Sequence, residues 1–281
     1  MSTHVGSGFG DGHGDAGCAP ANGTCRRGGF GAVARLKREE IALFVDADGT
    51  LLDIAMRPDE AVAPSGLVET LDAVWRALDG ALAIVSGRRI ENLDRIFAPL
   101  HLPASGVHGA QMRTRRDAPI LVGDTRIIPA DVVKSARETA DRFPGALVED
   151  KGEAVAVHWR ACPQFEEEIH TRLLRGLTRP DAVGLNLLRG HCVFEIKSSH
   201  TSKGNAVRAF MAQAPFAHRR PVFVGDDVTD LAGLAAAKLL GGHAYSVSAP
   251  LPGADAAFGA PHDVREWLRS LADAPAGSAL R

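Results

Sequence analysis

Three short apolar runs constrain this chain more than any other feature. Ile41–Val45 (IALFV), residues 81–85 (ALAIV) and residues 221–224 (PVFV) are continuous rather than alternating. A strand that is apolar at every position is buried on both faces, as in a parallel sheet covered by helices. Each run also stops abruptly on polar residues: the first on Asp46, the second on Ser86, the third on Gly225 and Asp226. Ligands of open parallel sheets sit at the carboxyl ends of the strands. Three segments far apart in sequence are therefore expected to meet at one site.

Helical spacing fills the intervals. Leu67, Leu71, Val74, Trp75 and Leu78 follow Pro64-Ser65 and are closed by Gly80. Ile90, Leu93, Ile96 and Phe97 repeat the period, as do Ala206, Val207, Phe210 and Met211. Alternating strands and helices predict an α/β fold with a Rossmann-like parallel-sheet core. The stretch from 110 to 190 reads differently. Residues 146–160 (ALVEDKGEAVAVHWR) suggest two strands around a turn at Lys151-Gly152. Ala154, Ala156 and His158 alternate with Val155, Val157 and Trp159, the pattern of an antiparallel sheet with one solvated face. With helices near 130–143 and 164–177, this predicts an inserted α+β cap domain. The expected division is a glycine-rich tail over 1–37, a core over 38–109 and 191–270, and a cap over 110–190. A fourth run, 192–196 (CVFEI), is interrupted by Glu195 and falls at the start of the returning core.

Bulk properties exclude several classes. A length of 281 residues with 45% hydrophobic residues allows two domains, or one with a large insertion. The net charge of −2 gives no field toward nucleic acid or an anionic membrane. No apolar run approaches the ~18 residues of a membrane span. The four cysteines form no CxxC pair, and without an apolar leader, reduced thiols in a cytoplasmic protein are expected. In the tail, His4, His13, Cys18 and Cys25 match no zinc spacing, and GSGFGDG lacks the preceding strand of a dinucleotide loop.

The residues that end the three runs suit one reaction, phosphoryl transfer through a carboxylate. Asp46 is placed to attack phosphorus. Asp48, two residues on, points elsewhere and can protonate the leaving alkoxide, then act as base on water. Gly49 permits a sharp turn that aims amide N–H groups at phosphate oxygens. Ser86, in the loop Ser86-Gly87-Arg88, can donate to the phosphate, and Lys203, at a helix start, can neutralise developing charge. Asp46, Asp226 and a phosphate together demand a divalent cation, and oxygen ligands suit Mg²⁺.

DADGTLLD, SGR, SKGNA and GDDVTD resemble the four motifs of the haloacid dehalogenase superfamily of phosphohydrolases, and the insert resembles its C2-type cap. Within it, GVHGAQMR (106–113), VEDKGEAVAVHWR (148–160) and VFEIK followed by SKG (193–204) resemble the trehalose-6-phosphate phosphatase family. The resemblance covers roughly residues 40–260. It implies Asp46 as nucleophile and metal ligand, Asp48 as acid/base with its carbonyl on the metal, and Asp226 as a further ligand supported by Asp227 or Asp230. It implies a phosphate held by Thr50, Ser86 and Lys203 beside Gly49 and Gly87. Arg113, Glu149, Lys151, His158, Arg160 and Glu195 match positions that can line the cap–core cleft. The implied partner is a small sugar phosphate, with trehalose-6-phosphate synthase preceding in the pathway. This chain departs from the family pattern at Gln111 and Leu231, where glutamate is frequent, and in SSHTSKG, with Ser198 and His200 in a segment that often carries proline and glycine. Alternatives are a phosphatase of sucrose 6-phosphate, mannosyl-3-phosphoglycerate or a hexose phosphate, a related phosphomutase, and a non-catalytic sugar-phosphate-binding regulator.

Overall fold

The computed structural model describes residues 37–123 and 127–274. The glycine-rich segment up to residue 36, with its histidines and cysteines, lies outside the described residues. Strand β1 (Ile41–Val45), buried at every position, lies at the centre of an eight-stranded sheet. It pairs in parallel with β10 (Arg220–Gly225) on one side and β2 (Leu82–Val85) on the other. Beyond β10 follow β11 (His243–Val247) and β12 (Ala256–Phe258). Beyond β2 lies β3 (Ala104–Gly106), also parallel. The short strands β4 (Gln111–Arg113) and β5 (Leu121–Val122) close that edge antiparallel.

The chain winds from β1 to β2 to β3 through α1 (Leu67–Ala77) and α2 (Ile90–Ile96), and in the opposite direction from β10 to β11 through α6 (Leu231–Leu239). Right-handed crossovers in opposite directions put these helices on opposite faces. Helix α7 (Pro261–Asp273) packs on α1, and α5 (Lys203–Met211) on α6. The winding reverses at β1, so the crevice at its carboxyl end is where an open α/β sheet holds a ligand.

A second sheet, wholly antiparallel, runs β6 (Leu147–Asp150), β7 (Ala154–His158), β9 (Val193–Ser198), β8 (Leu185–Gly190). Helices α3 (Ala130–Ala140) and α4 (Glu166–Gly176) share a core with its Val155, Val157, Phe194 and Ile196. Three sequence expectations are corrected here. Strands β4 and β5 belong to the larger sheet, because the turn at Val107–Gly109 folds the chain back onto β3. The run 192–196 belongs to the cap sheet, because Val193, Glu195 and Lys197 alternate with Phe194 and Ile196, a one-face pattern unlike that of a parallel core strand. Nor is the alanine face of β7 solvated. Ala154 and Ala156 are fully buried, and Ala154 packs on Val107 and Ala110 of the core, an approach that small side chains permit.

Candidate active site

The carboxyl ends of β10, β1 and β2 bring the sequence candidates together. The Asp46 amide extends the β1–β10 ladder by donating to Val224 O at 2.9 Å, which fixes its side chain at the rim of the sheet. Gly49 has φ +72°, and a Cβ there would lie 2.1 Å from Asp226 Oδ2. Only glycine both turns this loop and leaves room for Asp226. Lys203 opens α5, whose first turn is capped by Ser202 Oγ accepting from the Asn205 amide at 3.1 Å. Its Nζ lies 2.7 Å from Asp46 Oδ1 and 2.6 Å from Asp230 Oδ1. The other Asp230 oxygen accepts the Asp226 and Asp227 amides at 3.1 Å each.

Burial and the nearby Asp230 and Asp226 carboxylates raise the pKa of Asp46, against the lowering effect of Lys203. Burial and Asp230 push Asp226 up to about 7. Burial opposes the Lys203 charge, but Asp230 and Asp46 outweigh it and hold the ammonium. Asp46, Asp226 and Asp230 each offer an oxygen within 4.8 Å of the others, against a single lysine. Such an excess of hard oxygen donors fits a divalent cation. Asp230 has both oxygens engaged, so it buttresses the loop, leaving Asp46 and Asp226 as the better donors. Asp227 is engaged as well: Oδ1 accepts from Val228 N at 2.7 Å and Oδ2 from His191 N of the cap at 3.0 Å.

Asp48 is held by Arg88 through two parallel bonds of 2.6 and 2.7 Å, and Arg88 also donates to Pro58 O at 2.7 Å. Buried Ser86 accepts the Arg88 amide at 3.1 Å, which leaves its O–H free to donate. Thr50 is fully buried with its hydroxyl unpartnered.

The cap supplies the opposite wall. Glu149, Ala156 and Glu195 stand in one register row across β6, β7 and β9. Period 2 then places Lys151 and His158 on the same face, toward the core. Glu195 bonds Lys151 Nζ and His108 Nε2, while His158 Nε2 lies 3.1 Å from Glu149 Oε2. Lys151 Nζ also donates to Gly87 O at 2.9 Å. Trp159, next to His158, turns into the cap core. Burial opposes the Glu195 charge, but His108 and Lys151 hold its carboxyl well below the usual range.

The cleft between the two sheets is lined by Asp46, Asp48, Ser86, Gly87, Lys203, Asp226 and Asp227 below and by Glu149, Lys151, His158, Arg160 and Glu195 above. Gly49, Thr50 and Asp230 support it from beneath. Arg113 is not part of it. Its guanidinium is buried in a bidentate pair with Asp94 at 2.5 and 2.8 Å, and Nε donates to Leu102 O at 2.8 Å, so the expected sugar contact is withdrawn. The structure adds Arg88, His108 and His191 to the cleft. Arg88 was visible in the SGR motif and His108 in GVHGAQMR; His191 lies in a turn without a signal.

Residues 44–235 match the family model described as trehalose-phosphatase. The trehalose-6-phosphate phosphatase of Escherichia coli K12 is 38% identical over 235 residues, covering 83% of this chain and 87% of that protein. A probable trehalose-phosphate phosphatase of Sinorhizobium fredii is 39% identical over 230 residues, covering 76% of this chain and 80% of its own length. The C-terminal domain of Candida albicans trehalose-6-phosphate phosphatase superposes with a TM-score of 0.72 at 20% identity, covering 83% of this chain and 92% of that one, a likeness of fold. The loops after β1, β2 and β10 and the start of α5 thus meet in one cleft, in a sequence that matches one family over most of its length, and the chain belongs to the trehalose-phosphatase family.

Proposed function

We propose that this protein hydrolyses the phosphate ester of trehalose 6-phosphate to trehalose and inorganic phosphate. The observation that carries the reading is the pairing of Asp46, Ser86 and Lys203 on one wall with the polar row Glu149, Lys151 and Glu195 on the other. The first set suits a phosphoryl group and the second suits sugar hydroxyls. Asp46 attacks phosphorus as the bond to the sugar oxygen breaks, and Asp48 delivers a proton to that oxygen. Water then attacks the aspartyl-phosphate and gives its proton to Asp48. Ser86 donates to a phosphate oxygen. Lys203 balances charge through both steps. Mg²⁺ held by Asp46, Asp226 and the Asp48 carbonyl would supply Lewis-acid stabilisation of the phosphoryl oxygens. This reading fits a cytoplasmic enzyme supplied by trehalose-6-phosphate synthase.

The test is phosphate release from trehalose 6-phosphate, sucrose 6-phosphate and glucose 6-phosphate, with and without Mg²⁺. A Mg²⁺-dependent preference for the trehalose ester of roughly a hundredfold in kcat/KM is expected, about 2.7 kcal/mol of transition-state discrimination. Similar rates on all three esters would refute the substrate. Asp46→Asn is expected to retain the fold and lose turnover by at least about 10⁴-fold. Rates near wild type would remove Asp46 as nucleophile.

A further inference from the structure

His108 has no part in the chemistry above, yet both its backbone and its ring are tightly held. Val107 and His108 both lie in the left-handed region, φ +47° and +52°. Backbone of this kind persists only where the surroundings enforce it. Here the enforcement comes from Ser86-Gly87-Arg88, the phosphate loop of the proposed reaction: Val107 N–H donates to Arg88 O at 2.9 Å, and His108 N–H to Ser86 O at 3.1 Å. The ring lies against Gly87, where a Cβ would come within 2.5 Å of Nε2. Across the cleft, Nε2 bonds one Glu195 oxygen. The other takes Lys151 Nζ, which returns to Gly87 O at 2.9 Å. Glu195 and Lys151 are thereby tied to the loop that carries Ser86.

The proton on this ring can be assigned. Nδ1 is buried and has no partner. A buried N–H without an acceptor loses its hydration uncompensated, whereas a bare ring nitrogen is the lesser loss. The proton therefore sits on Nε2, directed at Glu195, and the ring is neutral. Burial supports this by lowering the pKa, against the raising effect of Glu195.

We propose that His108 is a positioning residue for substrate choice. Anchored to the phosphate loop, its neutral Nε2–H fixes Glu195, and through it Lys151, at a set distance from Ser86, so that the cleft gauges the sugar from the phosphate. The proposal rests on the sugar-phosphate reading of this cleft.

Two substitutions in the full-length enzyme separate positioning from support of the fold. His108→Asn keeps a residue that tolerates left-handed backbone, but its amide falls short of Glu195. His108→Gln brings an amide N–H close to the place of Nε2. The readout is kcat/KM on trehalose 6-phosphate and on p-nitrophenyl phosphate. His108→Asn is expected to lose about thirtyfold on the sugar ester, largely through KM, and at least tenfold more than on the aryl ester. His108→Gln is expected to recover most of that selectivity. Equal losses on both esters, or no difference between Asn and Gln, would overturn the proposal. Independently of any substrate, ¹⁵N spectra of histidine-labelled wild type between pH 6 and 8, assigned by difference from His108→Asn, are expected to show the neutral Nε2–H tautomer. A charged ring or an Nδ1–H tautomer would equally overturn it. A wild-type enzyme indifferent to the sugar counts against the substrate reading alone, and the spectrum still decides the His108 assignment.

Discussion

In the proposed reaction Asp48 faces two requirements that Arg88 sets against each other. As a base it must have an oxygen free for water, and both of its oxygens accept from Arg88, at 2.6 and 2.7 Å. As an acid it must carry a proton, which one of the two Arg88 bonds has to release. The pair is partly open to water, with the Asp48 side chain 40% exposed, so this exchange needs no unfolding. Arg88 therefore aims the carboxylate and sets when it is free. Arg88→Ala is expected to slow trehalose 6-phosphate hydrolysis by about a hundredfold. Hydrolysis of 2,4-dinitrophenyl phosphate, whose leaving group needs no proton, should slow by less than about tenfold. Equal losses on the two esters would remove Arg88 from proton delivery to the leaving group and leave its effect in a step common to both, or in the fold. Arg113 teaches the opposite lesson. Both arginines stand in motifs, but Asp94, 19 residues away, takes the second one out of the cleft. A motif gives residue type and spacing, and pairing across the fold then decides which charge remains available. The same holds for Gln111, whose Oε1 accepts the Ile90 amide at 3.0 Å while its amide faces Glu153. Glutamate in its place would set two carboxylates together.

Helix α5 carries Lys203 into the site, and its position depends on how closely it meets α6. A Cβ on Gly204 would lie 2.4 Å from Ala232 O, a backbone atom that cannot swing aside. Gly204→Ala is therefore expected to push the helices apart, cost about 2 kcal/mol and displace Lys203. Urea unfolding measures the first effect and kcat the second; unchanged stability would mean that the helices do not touch here in solution. At this scale the sequence was most readable where elements were long or fully buried. Strands β1, β2 and β10 show as continuous apolar runs, and helices α1, α2 and α5 by their period. β4 and β5, three and two residues long, are too short to show any period. β9 reads in sequence as an apolar run interrupted by Glu195, and only its pairing with β7 and β8 shows that it belongs to the cap. The aspartates of the site were legible because strand ends place them. The network through His108 was not, since it depends on two elements 87 residues apart meeting across the cleft.

Among the described residues, the two large hydrophobic cores are joined by contacts that are mostly polar. Besides the small cluster of Val107, Ala110 and Ala154, the cap meets the core through Lys151 on Gly87 O, Glu195 on His108, and His191 N on Asp227. A joint of this kind favours relative motion of its two sides, and it should respond to acid. Glu195 is fully buried, and His108 and Lys151 hold its pKa well below the ordinary value of 4.5 in spite of burial. A depressed folded-state pKa means that the unfolded chain takes up the proton first as pH falls. The stability that the Glu195 charge contributes is therefore complete above about 4.5 and is lost as pH falls from there toward the folded-state value. One such group changes stability by up to ~1.4 kcal/mol per pH unit inside that window. Urea unfolding of the wild type and of Glu195→Gln, from pH 7 to pH 3 without added metal, reads the Glu195–His108 pair, because the titrating groups away from that pair are common to both proteins. The wild type is expected to lose stability more steeply than the variant only below about pH 4.5. Parallel curves would mean that Glu195 is not held ionised between His108 and Lys151.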